Sequence, residues 1–420
     1  MTKRNLLILT SIKETRNQSH DDCILLGEWC KDLNEEDKNF NIEHILNYHW
    51  DDRVKLKRDY KYLKNFHYQL LSELTTKLNS LHGVNYDTRY WRILLDPWLM
   101  DYVSVLFDRW ETIDAVCKLE KKFDVNFLQS NFLDKSLPLG MNQMHAHFSK
   151  DYFNQLLYQK IIEYNYSDSF NIKIVDTKRD LQKDLYEPFV EKESSYFFNF
   201  FRGLYNHIDK MLGNIFNKYD VVFIDSYFRY FDLIKINLAM NQFPRLFNMD
   251  FDSKSKEIES LYENQDNEAR NQIKISLNNS SKFENFILEQ IIKNLPKSIV
   301  ENYSSLKNIS QQININTKVI MSANSHWDNL LKKFWIAHKV SQGVKFVTLE
   351  HGGSFPPLKE HFQFEEDISD KRGTWFTPWH EKHIQLPPTK LVHRNKLINK
   401  RKGSSNRYKR CSLIAYGGRR

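Results

Sequence analysis

The 420-residue sequence predicts an α/β fold, a Rossmann-like parallel sheet with long helical insertions. Three observations carry that prediction. Residues 317–353 read as strand, helix, strand: Val319, Ile320 and Met321 form a short apolar run that stops at Ser322. Asp328 then starts a helix in which Leu330, Leu331, Phe334, Trp335 and Val340 recur at helical spacing, and Gly343 ends it. Residues 345–349 are a second apolar, β-rich run, and two short buried strands joined by a helix make a parallel βαβ unit. The second observation is a pair of similar runs at 5–12 and 221–225. The third is the long apolar-periodic stretches lying between them. The runs 5–12, 221–225, 317–321 and 345–349 are expected to pair in one parallel sheet, with helices over 53–82 and 89–116 packed alongside.

The remaining elements follow in order. Asp51 or Asp52 caps a helix whose stripe is Leu56, Tyr60, Leu63, Leu70, Leu74, Leu78 and Leu81, and Gly83 stops it. Residues 90–110 are dense in aromatic and aliphatic side chains, so a buried helix is expected, broken near Pro97. Residues 172–176 and 221–225 read as strands, and 233–240 as a helix ending near Pro244. Residues 253–282 are polar without a clear period and read as an exposed loop; 283–306 return to helix. Beyond Phe355 the chain is rich in loop residues, and 412–416 reads as one more strand.

Hydrophobic residues make up 41% of the chain and aromatic residues 14%, ample for a core in each of two or three domains. No run approaches the roughly 20 apolar residues of a membrane helix. The first ten residues turn polar too quickly for a signal peptide. Cys23, Cys30, Cys117 and Cys411 are scattered, which fits packing roles in a reducing cytoplasm. The net charge of +8 is unevenly spread: residues 371–420 hold 14 Lys/Arg against Glu381 alone, a net of +13, which leaves −5 on the other 370 residues. Such a tail suits phosphate groups or a solvated linker. Single-strand nucleic-acid binding is disfavoured, because Trp375, Phe376, Trp379 and Tyr408 are not interleaved with the densest charge.

His351 follows a strand end, where open α/β sheets bind ligands, and Gly352 and Gly353 let backbone N–H groups come close to one. A neutral imidazole there can take a proton from an acceptor hydroxyl; the plainer alternative is a histidine that only braces its loop. Glu28, near the end of a second short apolar run, suits a base or a hydroxyl ligand. His49, Asp51, Asp52 and Arg53 crowd a helix start; one Asp is the cap, and His49 and Arg53 suit an anion. Arg89 and Arg92 share one face of an apolar helix and need anionic partners. Those partners are either Asp96 and Asp108, in an internal network with Arg109, or a substrate phosphate or carboxylate. His145, His147 and Asp151 are too few for a metal site, and Trp379 and His380 suit the far wall of a cleft.

Several blocks together resemble one family. They are TSIKETR from Thr10, LLGEWC from Leu25, YHWDDRVKLKRDYKYL from Tyr48, LNSLHGVNYDTRYWRILLDPWL from Leu78, FDRW from Phe107, then SANS and EHGG, EEDISDKRGTWFTPW and IQLPPTKL. The sequence resembles the transferases encoded in bacterial O-antigen and other surface-polysaccharide gene clusters, over roughly residues 5–395. It departs from their pattern at Glu350, where Gln is usual, at Ser354-Phe355-Pro356, and at Thr377-Pro378-Trp379.

The resemblance implies a GT-B-like glycosyltransferase frame with two Rossmann-like units facing across a cleft. It implies residues 1–365 as an N-terminal, acceptor-side domain with helical insertions, and 366–420 as a basic linker and the truncated start of an incomplete second Rossmann domain. The expected activity moves a sugar or related group from a nucleotide-activated donor to a glycan or lipid-linked acceptor, with His351 and Glu28 catalytic. Gly352, Gly353, His49, Arg53, Arg89 and Arg92 are expected to bind substrate. No metal, no cofactor beyond the donor and no nucleic acid is expected. The location is cytoplasmic, with peripheral contact at the inner membrane. The alternative is a truncated, non-catalytic relative that binds the glycan or acceptor alone.

Overall fold

The computed structural model describes residues 5–16, 22–31, 41–119, 122–129, 137–176, 218–245, 265–351 and 363–390, with several residues between 247 and 261. The strand expected at 412–416, the order of the chain beyond 395, and Gly352, Gly353 and Cys411 lie outside the described residues.

The described strands form two five-stranded sheets, each parallel throughout. In the first, β1 (Leu6–Ile8), β2 (Asp22–Leu25), β3 (Asn41–Ile45), β4 (Phe123–Leu128) and β5 (Phe170–Val175) lie in the order β3-β2-β1-β4-β5. The second contains β6 (Lys218–Ile224), β7 (Asn316–Ser322), β8 (Lys345–Leu349), β9 (Lys371–Thr374) and β10 (His383–Gln385), in the order β10-β9-β8-β7-β6. The expectation of one sheet is therefore corrected. β1 pairs with β2, a short crossover away, and with β4, which returns beside it after β3 and two long helices, while β6, β7 and β8 pair among themselves. The βαβ unit over 317–349 is present, with β7 and β8 parallel. β9 and β10 fall within the stretch read as linker.

The helices carry most of the chain between the strands. α1 (Arg53–His82) starts where expected: Asp52 Oδ1 accepts from the backbone N–H of Val54 and Lys55 at 2.8 and 3.1 Å. Gly83 ends it at φ 60°, the left-handed conformation glycine adopts without penalty. α2 (Thr88–Cys117) runs unbroken through Pro97, contrary to expectation. An interior proline costs about 3 kcal/mol, but 20 of the 30 residues of α2 are buried, Trp91, Ile93, Leu95, Trp98 and Leu99 among them. That much apolar burial outweighs one lost backbone hydrogen bond.

α3 (Met141–Phe148) and α4 (Asp151–Asn165) lead to β5; α5 (Tyr230–Ala239) follows β6. A short helix, α6 (Asn267–Gln272), forms within the stretch read as loop, anchored by Arg270 against Glu301 in a buried bidentate pair at 2.7 and 2.8 Å. The helix expected over 283–306 is two, α7 (Lys282–Asn294) and α8 (Tyr303–Gln311), separated at Leu295-Pro296 because the residue before a proline avoids the helical region. α9 (Leu330–Ser341) is capped by Asn329, one residue after the expected Asp328. α10 (Phe364–Ile368) precedes β9. α2 packs against α1, α4, α9 and α10, so it touches helices of both sheets.

Candidate active site

The carboxyl end of the second sheet carries a dense, buried charge cluster. β8 ends at Leu349, and Glu350 and His351 follow at once. Glu350 continues the ladder, its N–H donating to Gly373 O at 2.7 Å, which fixes where both side chains emerge. α10 supplies Glu365 and Glu366, and β9 supplies Arg372. The Arg372 guanidinium lies 2.6 Å from Glu365 and 3.3 Å from Glu350, and also pairs with Glu366. Glu365 Oε1 gathers a second set of partners: His326 Nε2 at 3.0 Å, Trp327 Nε1 at 3.2 Å, and His351 Nε2 at 3.5 Å. Glu366 meets His383 Nε2 at 3.1 Å, and Trp379 stands edge-on to His383 with ring centroids 4.5 Å apart.

These carboxylates do not behave alike. Burial opposes the charge on Glu365, but Arg372, His326 and His351 hold its carboxyl well below the usual carboxylate range. Burial dominates at Glu350 and raises it against the pull of Arg372. Burial also lowers His326, against the hydrogen bond its ring N–H donates to Glu365. Neighbouring carboxyls pushed apart in this way are what acid–base chemistry requires. His351 retains a fifth of its side-chain surface exposed, while the Glu365 behind it is 5% exposed. The geometry is that of an accessible imidazole backed by a buried, ionised carboxylate. Such a pair can accept a proton and stabilise the resulting imidazolium.

Arg89 and Arg92 reach the same segment from α2. Arg89 donates to Ile368 O at 2.8 Å and to Asp370 at 2.7 Å; Arg92 pairs with Asp96 at 2.6 Å and Asp367 at 2.8 Å. Both thus clamp the stretch that presents Glu365. The other named residues gather elsewhere. Glu28 is exposed after β2 and pairs with Lys31. His49 lies 2.9 Å from Asp108, in a small pocket lined by Trp29, Tyr48 and Thr112. Burial lowers His49 to about 4, so it is neutral at pH 7. Arg53 is exposed at the start of α1. Sixteen residues of α2 separate Arg92 from Asp108, about 24 Å along the helix axis at the usual rise. His49, held on Asp108, therefore lies far along α2 from the turn that clamps the Glu365 segment, and Trp29, the neighbour of Glu28, lines its pocket. His145 lies 2.7 Å from Asp101, and His147 is buried.

His326, Glu365, Glu366, Arg372 and His383 were not singled out from the sequence. The available signal was the run from Glu365 to Arg372, which sets four acids, Glu365, Glu366, Asp367 and Asp370, directly before Lys371 and Arg372.

Fold and site together define a two-sheet, Rossmann-like α/β protein with a buried carboxylate–imidazole–guanidinium centre at a strand end. Residues 5–408 match the model of the LIC12162 family transferase, and the chain belongs to that family. No curated protein and no solved structure matches the chain. Among the described residues no helix is long and apolar enough to cross a membrane.

Proposed function

We propose that the chain moves a sugar or related group from a nucleotide-activated donor to a glycan or lipid-linked acceptor in bacterial surface-polysaccharide (O-antigen) biosynthesis, on a GT-B-like frame. The observation that carries this reading is the 3.5 Å approach of His351 Nε2 to the ionised Glu365 at the end of β8. In this reading His351 removes the acceptor hydroxyl proton as that oxygen attacks the sugar carbon. The bond from carbon to the phosphate oxygen breaks, and its electron pair leaves on the phosphate. Glu365 stabilises the imidazolium, and Arg372 keeps Glu365 ionised. The reading calls for no metal; positive side chains and backbone N–H groups meet the developing charge. Glu28, His49 and Arg53 serve the acceptor at the first sheet, and a lipid-linked acceptor brings the protein to the inner-membrane surface peripherally.

Calorimetric titration with a panel of nucleotide-sugars, followed by product analysis, tests the reading. One donor should bind and be consumed, and His351→Ala should lower kcat by about 100-fold with little change in KM. A His351→Ala protein with full turnover sinks it. A donor bound tightly but never consumed points instead to a non-catalytic glycan-binding relative.

A further inference from the structure

The carboxyl ends of β2 and β3 share one recess in the first half of the chain. Trp29 follows β2, and Tyr48 and His49 follow β3. Trp29 is pinned from two sides. Its indole N–H donates to Leu9 O, just past β1, at 3.2 Å. Its six-membered ring lies against Gly27, where a built Cβ would fall 2.3 Å from Trp29 Cζ3. Tyr48 stands edge-on to the indole, with ring centroids 6.4 Å apart and planes at 88°. Trp29 stays 36% exposed and Tyr48 38%. Two aromatic walls at right angles, one of them held in place, thus open on solvent.

The recess they line holds about 10 Å³, room for a single water-sized group. His49 lines it too, with Leu46, Asn47 and, from α2, Thr112 and Ala115. The His49 side chain is 6% exposed, and its Nε2 lies 2.9 Å from Asp108 Oδ1. In the neutral ring the proton therefore sits on Nε2, which leaves Nδ1 as an acceptor. Nδ1 is buried and has no hydrogen-bond partner among the described residues. An unmet buried polar atom costs about 1–3 kcal/mol. Among the described residues no charged side chain lines the recess, and Arg109 already pairs with Asp108. An anion would find no cation there.

We infer that this recess is a binding subsite for an uncharged sugar ring, whose C–H face packs on Trp29 and Tyr48 while one hydroxyl enters and donates to His49 Nδ1. Ligand sites pair apolar and aromatic walls with a few placed polar groups, and open α/β sheets receive ligands at the carboxyl ends of their strands. Asp108 acts as a positioning residue: it fixes the tautomer of His49 and so its acceptor character. His49 thus serves a hydroxyl, not the anion that the charges around it in sequence suggest. The subsite rests on the transferase reading only in taking this sugar to be that of the acceptor.

The probes are the methyl glycosides of glucose, galactose, N-acetylglucosamine and rhamnose, titrated into the full chain and followed by NMR. At least one should bind, and irradiating the aromatic protons of the protein should saturate the ring C–H protons of the bound glycoside. Trp29→Ala should weaken that binding about tenfold or more, and Trp29→Phe, which keeps a flat ring, should retain most of it. His49→Phe keeps the ring and removes the acceptor, and should weaken binding about three- to tenfold. Phe231→Ala, which removes an exposed aromatic ring on α5, should leave it unchanged. Inorganic phosphate should not displace the glycoside. Failure of all four glycosides to bind, binding without transfer from the aromatic protons, undiminished binding by Trp29→Ala or His49→Phe, or displacement by phosphate overturns the inference. The two proposals fail separately: His351→Ala should keep glycoside binding whether or not any sugar is transferred.

Discussion

Glu365 is the residue on which the second-sheet site turns. It is 5% exposed and touches two imidazoles, an indole N–H and a guanidinium. Removing one member of a buried charged set leaves the others uncompensated, at about 3–5 kcal/mol. Glu365→Gln is therefore expected to lower the chemical-denaturation midpoint by an amount of that order, and to reduce turnover alongside. The native carboxyl is held low, so its contribution is present above the ordinary carboxylate range and is lost as pH falls through its folded value. The gap between native and Glu365→Gln stability should close in acid; a gap that stays constant to pH 3 contradicts the ion-pair account. Lys333 has the opposite sign. A drop from 10.5 to about 8 corresponds to a penalty on the order of 3 kcal/mol while the amine is charged. Lys333→Met should thus be the more stable protein at pH 7, its advantage shrinking as pH rises from 8 to 10.5. Equal unfolding midpoints across that range would show that Lys333 is not strained.

Among the elements, the long or well-capped helices α1 and α9 were legible, while α3, α4, α6 and α10 were not, and the strands were legible only in part. α1 announced both ends through Asp52 and Gly83, and its stripe predicted the buried face. β7 and β8 were legible because their apolar runs flank an amphipathic helix. β9 was not: Lys371, Arg372, Gly373 and Thr374 have no strand composition, and the ladder with β8 and β10 makes them one. A side chain there would press on two leucines, since a Cβ on Gly373 falls 2.6 Å from Leu386 Cδ1 and 3.0 Å from Leu349 Cδ2, so one of them must shift. Arg372 sits one residue earlier, so the strand that sequence could not reveal also places the centre of the charge cluster. Gly373→Val should cost about 2 kcal/mol or more through overpacking, and it should displace Arg372 and depress turnover further than the stability loss alone explains. A Gly373→Val protein of native stability and activity would show that β9 tolerates a side chain there.

At the scale of the molecule, the apolar runs pointed to parallel α/β architecture and the resemblance to two Rossmann-like units, but neither placed a sheet boundary between β5 and β6. The strands that settle the division are β2, β3 and β4, of four, five and six residues, which carry little period of their own. His351 was placed correctly at a strand end, yet its partners come from α10 and β9, a segment whose structure follows from tertiary pairing. What joins the halves is α2. Its buried residues belong to one continuous apolar cluster that includes Leu6 of β1 and Ile320 and Phe346 of β7 and β8. Its arginines hold α10, while its later turns hold His49 and, through Arg109, Asn154 of α4. A helix shared in this way leaves neither sheet a closed core without the other. Heating is therefore expected to give one cooperative transition, with calorimetric and van't Hoff enthalpies in agreement. Trp98→Ala, in the middle of α2, should lower that single transition by about 3–5 kcal/mol of stability without splitting it. Two resolved transitions, or a variant in which only one of them shifts, would show that the sheets fold as independent units and that α2 belongs to one of them.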